Sequence, residues 1–351
     1  MKCNEPTIIG WDIGGANIKA VRTQWKGRQL KSIQTAVRSF EIWREPQHLA
    51  AVLLNIAEKL EMQEKQDLAV TMTAELSDVF RTKREGVLYV LDAVEQAFGE
   101  ANIYLFTLDG TFVRPERMRQ NPLSGAATNW LASALLIADY HPDCILIDIG
   151  STTTDIIPIR NGKPINIGQT DTQRLISGEL VYTGVTRTNP NTFASQAPVQ
   201  GCLCRVAAEY FTAMADVYLI LGRITSDQYS CPTADGRGKT VSAARERLAR
   251  FVCSDADLMS ANEIHTLASY LQEKQLQQIV EAIFQVMSGS LQDDVLLPLV
   301  VVGSGKFLTE EAARRLNLQV IEFDREWNEK VLTAFPAMAV TYLLSKEWLP
   351  A

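Results

Sequence analysis

Two short strings in this 351-residue chain have the residue types needed to handle a phosphate. One is Asp12-Ile13-Gly14-Gly15-Ala16-Asn17-Ile18-Lys19. The other is Asp148-Ile149-Gly150-Ser151-Thr152-Thr153-Thr154-Asp155. In each, an aspartate near the end of an apolar run is followed closely by glycine. Glycine allows a tight turn and leaves backbone N–H groups unshielded, so a phosphate can approach them. An aspartate beside that phosphate can hold Mg2+ directly or through water. Ser151, Thr152 and Thr153 add neutral donors, and Lys19 adds a positive charge. One such string alone is ordinarily just a turn. Two of them, about one domain length apart, imply two similar halves that close on a di- or triphosphate. Asp12 and Asp148 are then the expected metal ligands. Gly14, Gly15, Asn17, Gly150, Ser151, Thr152 and Thr153 are the expected phosphate contacts.

A third string, Gly303-Ser304-Gly305-Lys306, follows an apolar strand pattern and precedes a helix pattern. Phe307 stands where a P-loop needs Ser or Thr, and a dinucleotide fingerprint needs a third glycine. The string fits a loop that approaches a ligand, or an ordinary strand–helix turn.

The elements that must position these strings can be read from periodicity. Residues 7–13 and 18–22 predict a hairpin with a glycine turn. Helical spacing of Leu49, Val52, Leu53, Ile56, Ala57 and Leu60 predicts a helix within 47–62. Strands are expected at 67–72 and 102–107, and a small-residue helix at 129–137. The pattern then restarts, with strands at 144–149 and 155–159. Further helices are expected at 205–221, 241–252, 261–287 and 309–316, and strands at 297–302 and 318–323. An amphipathic helix around 329–344 ends the chain, and 187–201 reads as a long loop or flap.

Composition bounds the function. Lys and Arg total 34 against 41 Asp and Glu, a net charge of −7, which disfavours a nucleic-acid partner. The chain has no apolar run long enough to span a membrane. Asp12 interrupts the first apolar stretch and no small-residue cleavage pattern follows, so a signal peptide is not expected and a cytoplasmic location is. Cys3, Cys144, Cys202, Cys204, Cys231 and Cys253, with His48, His141 and His265, are too scattered for a zinc site and read as free thiols and isolated rings. Oligomeric state is not encoded in any of these patterns.

Taken together, the three glycine strings resemble the actin, chaperone and sugar-kinase (ASKHA) superfamily. That resemblance implies an α/β fold of two ribonuclease-H-like (actin-like ATPase) domains flanking a central cleft. The expected bounds are 1–140 plus about 325–351 for the first domain and 141–324 for the second. The last helix, with Ala334, Ala337 and Ala339, would return to the first domain. Gly303 and Gly305 would belong to the adenosine-type loop.

The strings at 71–80, 82–83, 85–87, 178–185 and 215–218 are similar to the hydantoinase/oxoprolinase branch. Within it they resemble the short proteins linked to tetrahydromethanopterin-dependent C1 transfer, the methanofuran-assembly synthases. This implies a transferase that joins an aminomethyl-furanmethanol diphosphate to the phenol of a γ-glutamyl-tyramine-type or tyrosine-type acceptor and releases diphosphate. Bacteria that oxidise C1 compounds, in methylotrophy, carry a related methylofuran. The implied catalytic residues are Asp12, Lys19 and Asp148 around the diphosphate and Mg2+, with Glu75 or Glu179 as base for the phenol. Asp78 and Asp155 are further candidates for the base. Glu75 and Asp78 could equally cap backbone amides. ATP is possible but not required. Arg81, Lys83 and Arg84, and secondarily Arg174 and Arg187, could meet the acceptor's carboxylates. Asp216, on an apolar helix, must be paired or sit at an edge. Trp11 and Tyr182 could stack on a furan or phenol, though core packing suits Trp11 better. Rival readings are an ATP-dependent small-molecule kinase or hydantoinase-like ATPase and, in another class, a nucleotide-dependent switch or assembly module.

Overall fold

The structure, a computed structural model, describes residues 7–26, 29–290, 296–323 and 329–348; Cys3 lies outside them. The chain divides into two compact units. One comprises Met1–Asp143, Ile159–Pro164 and Asp324–Ala351, the other Cys144–Pro158 and Ile165–Phe323.

In chain order the first unit contains β1 (Thr7–Ile13), β2 (Asn17–Lys26), β3 (Gln29–Ser39), α1 (Leu49–Lys59), β4 (Asp67–Met72), α2 (Lys83–Phe98), β5 (Asn102–Phe106), β6 (Phe112–Val113), α3 (Pro115–Gln120) and α4 (Asn129–Tyr140). Its sheet runs β3-β2-β1-β4-β5-β6 among the described residues. β1 pairs antiparallel with β2 and parallel with β4. Because helices cover both faces of a central strand, β1 is apolar at successive positions rather than alternating. Leu53 and Ile56 of α1 and Val87, Val90 and Leu91 of α2 share one buried cluster with Ile9, Trp11 and Ile13. Trp11 is fully buried, its ring 5.2 Å from that of Phe98, which makes it a core residue. β3 was not expected from the sequence. It is an edge strand whose residues are mostly half-buried or exposed, so it carries little apolar signal.

The second unit contains β7 (Cys144–Ile149), β8 (Thr154–Arg160), α5 (Asp171–Ser177), β10 (Leu180–Val181), β11 (Gln196–Val199), β12 (Cys202–Arg205), α6 (Met214–Ile220), α7 (Val241–Arg250), α8 (Ala261–Ser290), β13 (Leu299–Gly303), α9 (Lys306–Leu316) and β14 (Val320–Glu322). The last two residues of β8 and the short β9 (Lys163–Pro164), which pairs with them, fall in the first unit. The main path of the second sheet is β10-β8-β7-β13-β14. It repeats the order of β3-β2-β1-β4-β5. A hairpin partner flanks the central strand on one side, and two parallel strands, β13 and β14, extend the other.

The chain then continues through α10 (Glu329–Leu332) into α11 (Phe335–Trp348), which packs on β1, β2, β4 and α4. The expected amphipathic helix is in fact apolar nearly all round. Phe335, Ala337, Met338, Ala339, Val340 and Leu344 are all buried, because α11 is sandwiched between the sheet and α4. Its backbone lies directly on the strand: a Cβ at Gly10 would collide with the carbonyl oxygen of Ala337.

Two other expectations need correcting. Of 205–221 only Met214–Ile220 is helical. The expected loop at 187–201 contains β11, which pairs with β12. Their tight turn places Gln200 at φ 50° and Gly201 at φ 79°, the left-handed pair that a two-residue hairpin turn requires.

Candidate functional site

In the first unit the β1–β2 register sets Asp12 opposite Lys19. The Asp12 Oδ2 to Lys19 Nζ distance is 3.6 Å, and Asp12 is 5% exposed. On its other side Asp12 is in register with Thr71 of β4. Thr71 Oγ1 is 2.7 Å from Thr128 Oγ1, a buried hydroxyl pair beside the start of α4. The turn closes as Gly14 N donates to Asn17 O at 3.0 Å. A Cβ on Gly15 would come 2.7 Å from Ser77 Oγ, so the turn abuts the 74–77 segment closely. That segment is tied in by Thr73 N, which donates to Ile13 O at 3.0 Å. Its 3-10 turn Ala74–Leu76 carries Glu75, 2% exposed. The fold therefore brings Asp12, Gly14, Gly15, Asn17, Lys19 and the Glu75 turn to one end of this sheet. Asp78 is exposed just beyond it.

In the second unit Asp148 lies half-buried near the end of β7. Gly150 N donates to Thr153 O at 2.9 Å, closing the turn. β13 ends beside it: Val302 is in register with Asp148, and Gly305 N donates to Ile149 O at 3.0 Å. Gly303 has φ 83°, and a Cβ there would collide with Asp148 Oδ1. The Asp148 carboxylate thus packs directly against this glycine. Phe307, by contrast, packs edge-on against Tyr218 at 4.9 Å. From the other side, Val185 N donates to Gly150 O (3.0 Å), while Thr186 N and Arg187 N donate to Ser151 O (3.1 and 2.9 Å).

Glu179 lies elsewhere in this unit, with a different partner set. Its carboxylate accepts from Gly168 N and Ser177 Oγ, both at 2.8 Å, and from Ile167 N. A carboxylate with three such donors holds a turn in place. Arg174, 2% exposed, donates to Asp155 Oδ1 at 2.7 Å and to Glu179 O at 2.9 Å. Asp155 and Arg174 thus form a buried pair in the wall of the unit.

Asp216 is paired. It and Arg247 are both fully buried, with Arg247 Nε and Nη2 at 2.9 and 2.7 Å from Asp216 Oδ1. Thr212 Oγ1 and Tyr229 OH also donate to this carboxylate, at 3.0 and 3.1 Å. Burial, and then the Asp216 charge, push the Tyr229 hydroxyl well above its ordinary value. Burial likewise pushes the Cys231 thiol up, so it stays protonated and is a poor nucleophile. Arg247 was invisible from sequence because its partner lies 31 residues away.

Among the described residues, no group of three or more His, Cys, Asp or Glu side chains could hold a metal ion. A hard cation held by one or two carboxylates plus a ligand's phosphate oxygens is a different case, and Mg2+ is bound in that way. Asp12 in the first unit and Asp148 in the second are each a carboxylate of that kind. Arg81 and Arg84 are exposed at the start of α2 and Lys83 is half-buried there; Tyr182 is 58% exposed. No helix is long and apolar enough to cross a membrane, among the described residues.

Two sheets of one strand order, each with a glycine turn after its central strand, define the ASKHA class of actin-like and sugar-kinase folds. A solved structure of nucleotide-free acetone carboxylase has the same fold, with a TM-score of 0.60 at 10% identity, covering 95% of this chain and 70% of that one. The chain belongs to the hydantoinase/oxoprolinase family, whose profile matches residues 67–347. It is 35% identical over 341 residues to the (4-{4-[2-(gamma-L-glutamylamino)ethyl]phenoxymethyl}furan-2-yl)methanamine synthase of Methanocaldococcus jannaschii, covering 97% of this chain and 98% of that protein. A synthase of the same name from Methanococcus vannielii is 32% identical over 209 residues, 58% of this chain and 92% of that one.

Proposed function

We propose that the protein is a transferase of methanofuran or methylofuran biosynthesis. It joins a furan-methyl diphosphate to the phenol of a γ-glutamyl-tyramine-type or tyrosine-type acceptor and releases diphosphate. The observation that carries this reading is 35% identity across 97% of the chain to a synthase whose named product contains a phenoxymethyl-furan ether. Making that ether requires a phenol oxygen, a furan-methyl carbon and a leaving group. In this reading the two glycine turns are the loops that hold a diphosphate leaving group.

The bond that breaks joins the furan-methyl carbon to a diphosphate oxygen, and the bond that forms joins the same carbon to the phenol oxygen. The furan ring shares the positive charge that develops on its methyl carbon. Ionisation is then limited by the negative charge that builds up on the departing diphosphate. Lys19 and the turn N–H groups meet that charge. Mg2+, for which Asp12 and Asp148 would each serve as a carboxylate ligand, would neutralise more of it. The phenol, with an ordinary pKa of about 10, must lose its proton as it attacks. Glu75 takes that proton in our reading. Glu179 is less suited, because its carboxylate already holds a turn. The reaction consumes no ATP, acts on small molecules and takes place in the cytoplasm.

The test is to incubate purified protein with Mg2+, the furan diphosphate and γ-glutamyltyramine, with and without ATP. Ether and diphosphate should appear in equal amounts without ATP. A strict need for ATP hydrolysis, or a phosphorylated product, would overturn the reading in favour of a kinase-like enzyme.

A further inference from the structure

The second glycine turn does not hold its shape alone. The backbone from Thr183 to Arg187 lies along it like a splint. Val185 N, Thr186 N and Arg187 N donate to the carbonyls of Gly150 and Ser151. Gly184 is the point of closest approach: a Cβ there would lie 2.5 Å from Thr152 N and 2.6 Å from Ser151 C. The splint is thus packed backbone to backbone against the turn, and any shift in one displaces the other.

What fixes the splint is a side chain from a distant part of the sequence. Gln275, in the middle of α8, is fully buried. Its Nε2 donates to Thr183 Oγ1 at 2.7 Å and to Gly184 O at 2.8 Å. Tyr218 OH donates to its Oε1. That bond settles which way the amide faces and aims both Nε2 hydrogens at the splint. Tyr218 is itself buried in α6, and burial keeps its hydroxyl protonated, as a donor requires. A second glutamine of α8, Gln285, donates to Ile176 O at 2.7 Å and packs on Gly178. The strap from Gly178 to Gly184 is therefore fastened to one helix at both ends.

We infer that Gln275 is a positioning residue for the second glycine turn, acting through the Thr183–Arg187 backbone to set where the Gly150–Thr153 amides point. The inference rests on the reading of that turn as a diphosphate loop. A loose turn misplaces charge-stabilising donors, and a displacement of about an ångström costs on the order of a hundredfold in rate. Gln275 touches no substrate; its effect is transmitted.

The test uses the full chain, with inorganic pyrophosphate and Mg2+ as the probe. Gln275→Leu removes both donors at similar volume. Thr183→Val, milder, removes only the oxygen on the splint side and serves if the first variant does not fold. Amide hydrogen exchange across 148–154 and pyrophosphate affinity by calorimetry are read in each. Exchange at the turn should quicken and affinity should fall roughly tenfold, with exchange along α8 at its wild-type rate. Tyr218→Phe removes the bond that orients the amide and should quicken exchange at the turn in the same sense but to a smaller degree. A folded Gln275→Leu or Thr183→Val protein with wild-type exchange at the turn would overturn the inference. Failure of the unaltered protein to bind pyrophosphate would instead overturn the diphosphate reading, and the exchange comparison would still decide the role of Gln275.

Discussion

Asp148 and Gly303 form the most constrained contact at the candidate site, a carboxylate whose neighbouring strand ends in the one residue type that leaves it room. Asp148→Asn keeps the shape and removes the charge. It should lower kcat by on the order of a hundredfold or more with little change in melting temperature. Steady-state kinetics beside a thermal melt check this, and full activity in the variant would remove Asp148 from the chemistry. Lys19 is less buried than its partner Asp12 and reaches it only at 3.6 Å. Lys19→Ala should therefore raise KM for the furan diphosphate about tenfold, and steady-state kinetics with unchanged KM and kcat would remove Lys19 from the site. At this scale the glycine turns were legible because their information is local: residue type and spacing over eight positions. The buried partners were not. Nothing near Asp216 announces Arg247, and nothing near Gly184 announces Gln275. Both pairings depend on how α6, α7 and α8 pack.

Among the elements, the strands that became central were the easiest to read. β1, β4 and β7 are continuous apolar runs, and their expected and observed bounds agree. The polar edge strand β3 was not expected, and the seven-residue α6, buried at every position, was expected but with its start nine residues too early. The first has too little apolar contrast and the second has no polar face, so neither shows a period. α11 was read as amphipathic and is not, because its polar-side neighbour turned out to be another helix, α4. Its close seat on β1 gives a sharp expectation. Gly10→Val should destabilise the protein by at least about 3 kcal/mol in urea denaturation, since neither backbone can give way. The segment between α6 and α7 gives another, through pH. Burial alone would raise the Asp235 carboxyl, but hydrogen bonds from Arg237, then the charges of Arg247 and Arg237, outweigh it and hold it at about 2. A carboxyl depressed on folding stabilises fully above its unfolded value, near 4, and loses that contribution as pH falls toward 2. Melting curves should therefore steepen downward in that window, and Asp235→Asn should flatten the fall.

For the whole molecule, a ligand that binds only the folded chain must raise its melting point. At a hundredfold excess over its dissociation constant the gain is about 2.7 kcal/mol. Pyrophosphate with Mg2+ should give such a shift in differential scanning fluorimetry, and pyrophosphate with EDTA a much smaller one. Equal shifts in both would argue against metal-assisted binding. The close seat of α11 on Gly10 also has a bearing on biosynthesis. Strand and helix stand at opposite ends of the described chain, with residues 144–158 and 165–323 forming the other unit between them. A ribosome has therefore emitted that other unit before the helix that roofs the opening strand exists. The first sheet must wait with one apolar face uncovered, and an early stop that removes the chain from 335 onward should trap it there as an insoluble nascent product.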